Sequence, residues 1–196
     1  MAKKTDRRII KTEQAIKTVF IELMTEQGFT KVTVKQIIER AKINRGTFYL
    51  HYLDKYDLLD KVEEELLQDL AAIGRDAPVD AIIAQNGDTE AIAAYFSRFT
   101  SYIHEKSTLF ILLIGDKGDP SFLSKLSAMI RSLWQDRAAL KQLSIPQNYV
   151  FAALIGMVTS LIAEWVNSAF QETPEAFSQI IAAIVKGIPQ NIFSDK

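Results

Sequence analysis

Cysteine is absent from this chain of 196 residues, and histidine occurs only twice. The lack of cysteine excludes a disulfide framework and thiolate-bound zinc or iron–sulfur sites. Two histidines leave little scope for an imidazole metal site, so we expect neither a metal nor a cofactor. The sequence also lacks a phosphate-cradling glycine loop with Lys-Ser/Thr, a Gly-x-Ser-x-Gly motif and a His-Glu-x-x-His motif. We therefore expect the protein not to be an enzyme.

Long hydrophobic runs are scarce as well. The most apolar stretch, "YVFAALIGMVTSLIAEWV" at 149–166, contains Thr159, Ser160 and Glu164 and has no basic flanks. A buried helix explains it better than a membrane span. The basic N-terminal residues lack the apolar core of a signal peptide. We therefore expect a cytoplasmic protein that does not contact a membrane.

The apolar residues follow a helical period nearly throughout, and no segment alternates with the period of a strand. The spacing predicts helices over about 8–27, 34–41 and 45–51, and a long helix from about 55. Further helices are expected over about 89–106, 108–115, 120–143, 146–169 and 174–187. The predicted fold class is therefore all-α with about nine helices, and residues 74–90 are the best candidate for a loose connection.

The charge is unevenly divided along the chain. Residues 1–61 contain 13 Lys and Arg against 8 Asp and Glu, a balance of +5, although the whole chain has a net charge of −1. A basic head on an acidic body suggests that the head meets a polyanion. We expect a three-helix head over residues 1–54 and a helical body over residues 55–196 to form separate domains.

The stretch "RAKINRGTFYLHY", residues 40–52, has the pattern of an element with two different sides. On a helical wheel, Phe48 and Tyr52 share one side and can pack on the preceding helices. The other half presents Gly46, Tyr49 and Leu50 together with Thr47. An aliphatic side chain facing outward suits a thymine methyl group, and hydroxyl groups suit phosphate oxygens. Two short helices joined by a tight turn predict a helix-turn-helix unit.

The segment "FTKVTVKQIIERAKINRGTFYLHYLDKYDLL", residues 29–59, resembles the DNA-binding signature of the TetR family of bacterial transcriptional regulators. The family usually has Ala-Gly-Val/Ile at the turn, whereas this chain has Ala41-Lys42-Ile43. If Lys42 is left-handed there, it carries a strain of about 1 kcal/mol. The resemblance implies an all-α homodimer that binds a double-stranded DNA operator through its head and carries a C-terminal regulatory domain.

The resemblance also implies roles for single residues in the head. Positions matching Thr33, Lys35, Tyr49 and Lys55 lie along phosphates in the family, and those matching Asn44, Arg45, Thr47 and Leu50 lie nearest the base edges. Lys42 can add a phosphate contact, Gly46 permits close approach of a DNA backbone, and His51 flanks the packed side. The predicted DNA-binding residues are Thr33, Lys35, Lys42, Asn44, Arg45, Gly46, Thr47, Tyr49, Leu50, His51 and Lys55.

The body is less specified by its sequence. Aromatic and methionine side chains at helical spacing could line an apolar effector pocket, or could simply form core. The pocket candidates are Phe96, Phe99, Tyr102, Phe110, Met129, Trp134 and Met157. The last two long helices are apolar on more than one side, which favours dimerisation through them. The interface candidates are Phe151, Ile155, Val158, Ile162, Ile180 and Ile184.

The most concrete function that these patterns predict is a sequence-specific transcriptional regulator, a repressor released by an effector bound in the C-terminal domain. An activator, or a regulator controlled by a protein partner, is the alternative. The stretch "EWVNSAFQETPEAFSQII" resembles a subgroup related to activators of dihydroxyacetone kinase operons, which bind a protein partner. A helical interaction module without DNA binding is the third possibility.

Overall fold

A computed structural model describes residues 2–78, 82, 89–115, 118–119, 121–135 and 145–187. Over these residues it is helical and contains no strand, which confirms the all-α prediction. The chain divides into two compact units, Met1–Leu66 with Asp116–Gly118, and Leu67–Gly115 with Asp119–Lys196. The domain boundary expected after residue 54 stays a prediction. Most of the expected loose connection, 74–90, lies outside the described residues.

The first unit contains a helix-turn-helix preceded by a long helix. Helix α1 spans Ala2–Gln27, a single 3-10 turn spans Phe29–Lys31, and α2 and α3 span Val34–Ala41 and Arg45–His51. Helix α4, Lys55–Gly74, begins in this unit. The side chains that form its fully buried centre are Ile16, Phe20, Ile37, Phe48 and Leu58.

Helix α1 begins earlier than the sequence pattern predicted. Its apolar period starts only at Ile9, but the helix extends back to Ala2. The intervening residues contain no proline or glycine that would stop it. At the other end α1 stops before Gly28, whose φ of 78° lies in the region that favours glycine. The extra turns carry basic residues, including Arg7 and Arg8.

The second unit contains five further described helices. They are α5 Thr89–Glu105, α6 Ser107–Ile114, α7 Phe122–Trp134, α8 Gln147–Asn167 and α9 Pro174–Lys186. Helix α9 packs mainly on α5, and α8 packs on α6 and α7. The fully buried side chains at the centre include Ile103, Phe110, Phe122, Ile162 and Trp165.

Helix α8 is long and apolar enough to span a membrane by length and composition, yet half of its apolar window is buried in the protein. The core helix of a soluble protein meets the same criteria. The burial agrees with the expectation that 149–166 forms a buried helix.

The inner face of α8 holds part of the predicted dimer interface, which stays a prediction. Four of the six candidates are at most 5% exposed within a single chain, namely Phe151, Ile155, Val158 and Ile162. They pack in their own core and have almost no surface left for a partner. The outward face of α8 instead contains small and polar residues with one ring: Tyr149, Ala152, Ala153 and Ser160, with the half-buried Gly156. The other two candidates, Ile180 and Ile184 of α9, are each 40% exposed.

Candidate nucleic-acid interface

A capping box fixes the start of α2. The Thr33 hydroxyl accepts the backbone N–H of Gln36 at 3.3 Å, and the Gln36 side chain accepts the backbone N–H of Thr33 at 2.9 Å. This reciprocal arrangement satisfies two donors that the first turn of a helix would otherwise leave without partners. Thr33 remains exposed at the surface of the head.

The turn between α2 and α3 is left-handed at Lys42, with φ 53° and ψ 43°. The N–H of Lys42 lies 3.3 Å from the carbonyl oxygen of Glu39, and the N–H of Ile43 donates to the carbonyl of Ile38 at 3.2 Å. Such bonds close the end of a helix when the residue after it is left-handed. Lys42 therefore occupies a conformation that glycine adopts more readily, and its side chain is exposed.

Asn44 caps the start of α3. Its Oδ1 accepts the backbone N–H of Thr47 at 2.7 Å and the Thr47 hydroxyl at 2.9 Å. Because the hydroxyl proton of Thr47 is engaged in this bond, the hydroxyl oxygen can offer only its lone pairs to a further partner. The two side chains are therefore held as one unit at the start of the helix.

The two sides of α3 are as different as the wheel predicted. Phe48 is fully buried and Tyr52 is 3% exposed, whereas Tyr49 is 45% and Leu50 84% exposed. The guanidinium carbon of Arg45 lies 5.4 Å from the centre of the Tyr49 ring, so the cation is held over that ring. This face presents a cation, a phenol and a large apolar side chain to its surroundings.

Gly46 sits on the outward face without an internal reason to be glycine. Its φ is not in the left-handed region, and a Cβ atom there would meet only Asn44 Oδ1, at an ordinary 3.4 Å. Glycine in a helix costs about 0.5–1 kcal/mol relative to alanine. The fold itself therefore does not require a glycine at this position.

His51 does not lie on this outward face. Its Nδ1 is 3.1 Å from Oε1 of Glu13 on α1, and its side chain is only 11% exposed. The ring instead ties the end of α3 to α1. The packing of the helices turns the His51 side chain inward, and its predicted contact with DNA stays a prediction.

The structure also gives Lys55 an internal role. Its ammonium group donates to the carbonyl oxygens of Phe29, Thr30 and Val32 at 3.1, 3.0 and 2.9 Å. An ammonium group has three donors, and here all three are occupied. Lys55 thus holds the 3-10 turn against the start of α4, and it has no donor left for a phosphate in this conformation.

Sequence reasoning missed the residues that fix the corner between α3 and α4. Asp57 accepts the backbone N–H of Leu53 at 2.8 Å and the ammonium of Lys61 at 3.1 Å. The bond from Leu53, with a smaller contribution from Lys61, holds the pKa of the Asp57 carboxyl below its usual value. Lys61 also donates to the carbonyl of His51 at the end of α3. Asp54 accepts the backbone N–H groups of Tyr56 and Asp57. An aspartate just before a helix is a sequence signal for the start of that helix, so the start of α4 could have been predicted from Asp54.

A nearly filled apolar cavity lies within the second unit. Its volume is about 20 Å³, and four of the seven effector-pocket candidates line it: Phe96, Phe99, Met129 and Trp134. Tyr102 is bonded to Asp69 at 2.7 Å instead, and Phe110 packs edge-on against Phe122. Met157 is half-buried but does not line the cavity. The structure therefore brings together four of the seven residues predicted to line an effector pocket. Whether the cavity binds an effector stays a prediction.

A capped helix pair, with a glycine and a large apolar residue on the exposed side of its second helix, has the geometry of a helix-turn-helix DNA-binding unit. Comparison with known families agrees with this. Residues 21–62 match the family described as bacterial regulatory proteins, tetR family, and residues 90–187 match a transcriptional regulator C-terminal region of that family. The chain therefore belongs to the TetR family of bacterial regulatory proteins.

Individual relatives support the assignment. The uncharacterized HTH-type transcriptional regulator YxbF of Bacillus subtilis is 23% identical over 180 residues, which cover 88% of this chain and 44% of that protein. A crystal structure of a TetR transcriptional regulator from Streptococcus agalactiae superposes with a TM-score of 0.68 at 25% identity, covering 94% of this chain and 99% of the other. The matched regions span less than half of the length of the curated relatives.

The structure of the dihydroxyacetone kinase operon activator DhaS is also similar. It superposes with a TM-score of 0.59 at 17% identity, covering 90% of this chain and 94% of that one. A likeness at this identity shows the shared fold alone. Control by a protein partner therefore stays a hypothesis for this chain.

Proposed function

We propose that the protein is a repressor whose α3 enters the major groove of its operator. Asn44, Arg45, Thr47 and Leu50 are assigned to the base edges, and Gly46 to close approach of the DNA. The phosphate contacts are assigned to Thr33, Lys35, Lys42 and Tyr49. The observation that carries the proposal is Leu50, which is 84% exposed on a well-capped helix although burial of such a side chain is favourable. A thymine methyl group in the major groove would supply an apolar partner.

DNA-binding measurements with two variants test this assignment. The probe is a duplex from the promoter upstream of the protein's own gene, compared with a mixed-sequence duplex of the same length. Leu50→Ala should weaken binding to the promoter more than binding to the mixed sequence, because the methyl contact is base-specific. Tyr49→Phe should weaken both equally, because phosphate contacts carry no base information.

Ile111→Ala provides the control for this experiment, since Ile111 is 45% exposed but lies on α6 of the second unit. It should bind both duplexes as the unmodified protein does. If Leu50→Ala weakens both duplexes to the same degree, the assignment of Leu50 to a base edge is wrong.

We also propose that the protein works as a homodimer formed through the outward faces of α8 and α9. Ile180 and Ile184 are one helical turn apart, and each is 40% exposed. The neighbouring outward face of α8 has short side chains at Ala152, Ala153 and Gly156, which allow a second helix to approach closely. A dimer would place two recognition helices on successive major grooves, about 34–36 Å apart or somewhat more.

The proposed release mechanism depends on the cavity in the second unit. A volume of about 20 Å³ is room for roughly one water molecule, so a larger effector must push the lining helices apart to enter. A ligand that binds only an enlarged cavity favours one conformation of the body over another. Such differential affinity is the requirement for a ligand to shift a conformational equilibrium.

Gly74 offers a way to test the cavity. A Cβ atom at this position would lie 2.7 Å from Cδ1 of Leu133, a side chain that also lines the cavity. Gly74→Ala should therefore push Leu133 into the remaining space. We expect this variant to bind the promoter normally and to resist release by an effector found in a small-molecule screen. Ala72→Val, at an exposed position of the same helix, is the control and should still respond.

A role as an activator controlled by a protein partner is the second candidate, and the small size of the cavity favours it. The two functions predict opposite effects of deleting the gene: transcription from the bound promoter rises if the protein represses and falls if it activates. A protein-controlled regulator should also respond to its partner when Gly74→Ala fills the cavity. In either case we place the protein in the cytoplasm, where its operator is, and assign it no catalytic activity.

A further inference from the structure

An open groove on the head runs between the first turns of α1 and the turn that precedes the recognition helix. Arg7, Arg8 and Lys11 line it on the α1 side, and Ala41 and Ile43 line it on the other. The wall formed by α1 is strongly basic, and the opposite wall is the corner from which α3 starts. None of the DNA contacts assigned above involves α1.

Several basic residues of the head have acidic partners, whereas the basic residues of this groove have none among the described residues. Among the described residues of the head, Lys17 pairs with Glu65, Arg40 with Glu26, Lys61 with Asp57 and Lys35 with Glu39. Within that same part of the chain, Arg7, Arg8 and Lys11 take part in no ion pair and their side chains donate no hydrogen bond; all three are exposed. Three neighbouring cations that form no ion pair with the described carboxylates create a local positive potential that attracts a polyanion.

The course of the chain puts this charge beside the recognition helix. Ala41 and Ile43 flank Lys42, an exposed cation at the left-handed turn, and Asn44 caps α3 one residue later. The groove therefore adjoins the surface that enters the major groove. Because it is open along its length, it suits a polymer backbone better than an isolated ion.

We propose that the groove lined by Arg7, Arg8 and Lys11 binds a second stretch of DNA phosphates, beside the stretch met by α2 and α3. The proposal rests on DNA binding by α3. Unlike the contacts of α3, the contacts in this groove would be independent of DNA sequence, because arginine and lysine bind the phosphate charge and do not contact the bases. They would add affinity and fix the orientation of the head on the duplex.

The test measures the salt dependence of binding to a mixed-sequence duplex of about 30 base pairs, about three helical turns. Log affinity falls linearly as log salt rises, and removing one cation that neutralises a phosphate lowers the steepness of this slope by about 0.9. The triple variant Arg7→Ala/Arg8→Ala/Lys11→Ala should therefore lower the slope by about 2–3. The variant Arg7→Lys/Arg8→Lys, which keeps the charges, should retain most of the original slope.

Two controls make the result specific. Lys17→Ala removes a positive charge from the same helix, but Lys17 is paired with Glu65, so the slope should change little. Urea unfolding should give the triple variant the stability of the unmodified protein, because the three side chains hold no bond among the described residues.

If the unmodified protein binds DNA and the triple variant has the same slope, the proposal that the groove binds phosphates is wrong, while the role of α3 is unaffected. A decrease in slope for Lys17→Ala equal to that of a single groove variant would also overturn it, since the effect would then be general charge. If the unmodified protein binds no duplex, both this proposal and the role of α3 are wrong.

Discussion

The ammonium nitrogen of Lys55 lies 2.9 Å from the carbonyl oxygen of Val32, across 23 positions of the chain. The carbonyl groups of Phe29 and Thr30 accept its other two protons, and the ammonium also lies 4.7 Å from the centre of the Phe29 ring. The side chain of Lys55 thus binds the free carbonyl groups of the 3-10 turn and holds this turn against the start of α4. A lysine in this position stabilises the head before any DNA is present.

We therefore predict that Lys55→Met lowers the free energy of unfolding by about 2 kcal/mol, the scale of hydrogen bonds to a charged group. The salt dependence of DNA binding by the folded variant should remain near that of the unmodified protein. Urea unfolding and salt titration of binding measure the two effects separately.

Lys35→Met is the matched control, because Lys35 is 82% exposed and lies 3.8 Å from Glu39, so its removal should cost little stability. A stable Lys55→Met protein with a reduced salt slope would restore the phosphate role that the family resemblance implies.

Gly46 provides a prediction in which stability and binding change in opposite directions. Gly46→Ala should raise the free energy of unfolding by about 0.5–1 kcal/mol, since nothing in the fold obstructs a Cβ atom there. The same methyl group would enter the space that we assign to DNA. Affinity for the promoter duplex should fall about tenfold, equivalent to about 1.4 kcal/mol. A variant that is more stable and binds equally well would show that DNA does not approach Gly46 closely.

Local signals explain how much of the head could be predicted from its sequence. Thr33 and Gln36 are three residues apart, and the cap they form depends on little else, so it can be read directly. The inward direction of Phe48 also follows from the helical period. The contacts of Lys55 and His51 could not be predicted in this way, because their partners lie more than 20 positions away and depend on how the helices pack.

The proposed dimer face shows a different limit of sequence reasoning. Helix α8 is apolar on most sides, so the period alone cannot distinguish the face toward its own core from a face toward a partner. The larger side chains, such as Phe151 and Ile155, were assigned to the interface but are buried within the chain. The smaller residues Ala152 and Ala153 face outward, and their size gave no strong hydrophobic signal. The packing of α6 and α7 decides which face is inside.

Lys42 allows the cost of the left-handed turn to be measured. Lys42→Gly and Lys42→Ala both remove the same positive charge, but only glycine adopts φ 53° without strain. We expect the glycine variant to be more stable than the alanine variant by about 1 kcal/mol. Comparing the two variants by urea unfolding isolates the backbone effect, and their DNA affinities should be weakened alike because both lack the charge. Equal stabilities would mean that the turn relaxes and stores no strain at Lys42.

Asp57 predicts a dependence of stability on pH. Because its pKa is held below the usual 3.8 in the folded state, the carboxylate stabilises the fold at pH values above that figure. This contribution disappears as the pH falls through the folded-state pKa. Asp57→Asn removes the ionisable group, so the stability difference between the two proteins should be largest near neutral pH and should shrink in acid. Urea unfolding over a pH series measures it, and a difference that stays constant with pH would contradict the role of the charged carboxylate.

The last prediction concerns the outward faces of α8 and α9, defined above by Ile180, Ile184 and the small residues of α8. Ile184→Glu places a charge where we expect apolar side chains from a second copy, and burial of an isoleucine is worth about 1.5–3 kcal/mol. The dimer should therefore dissociate at least about tenfold more readily, since tenfold corresponds to about 1.4 kcal/mol. Sedimentation over a range of concentrations measures this, and circular dichroism should show an unchanged helical content. Ile111→Glu introduces the same charge at an equally exposed position, 45% against 40%, on a different face, and should leave the dimer intact. Dissociation by both variants alike, or by neither, would show that the interface lies elsewhere.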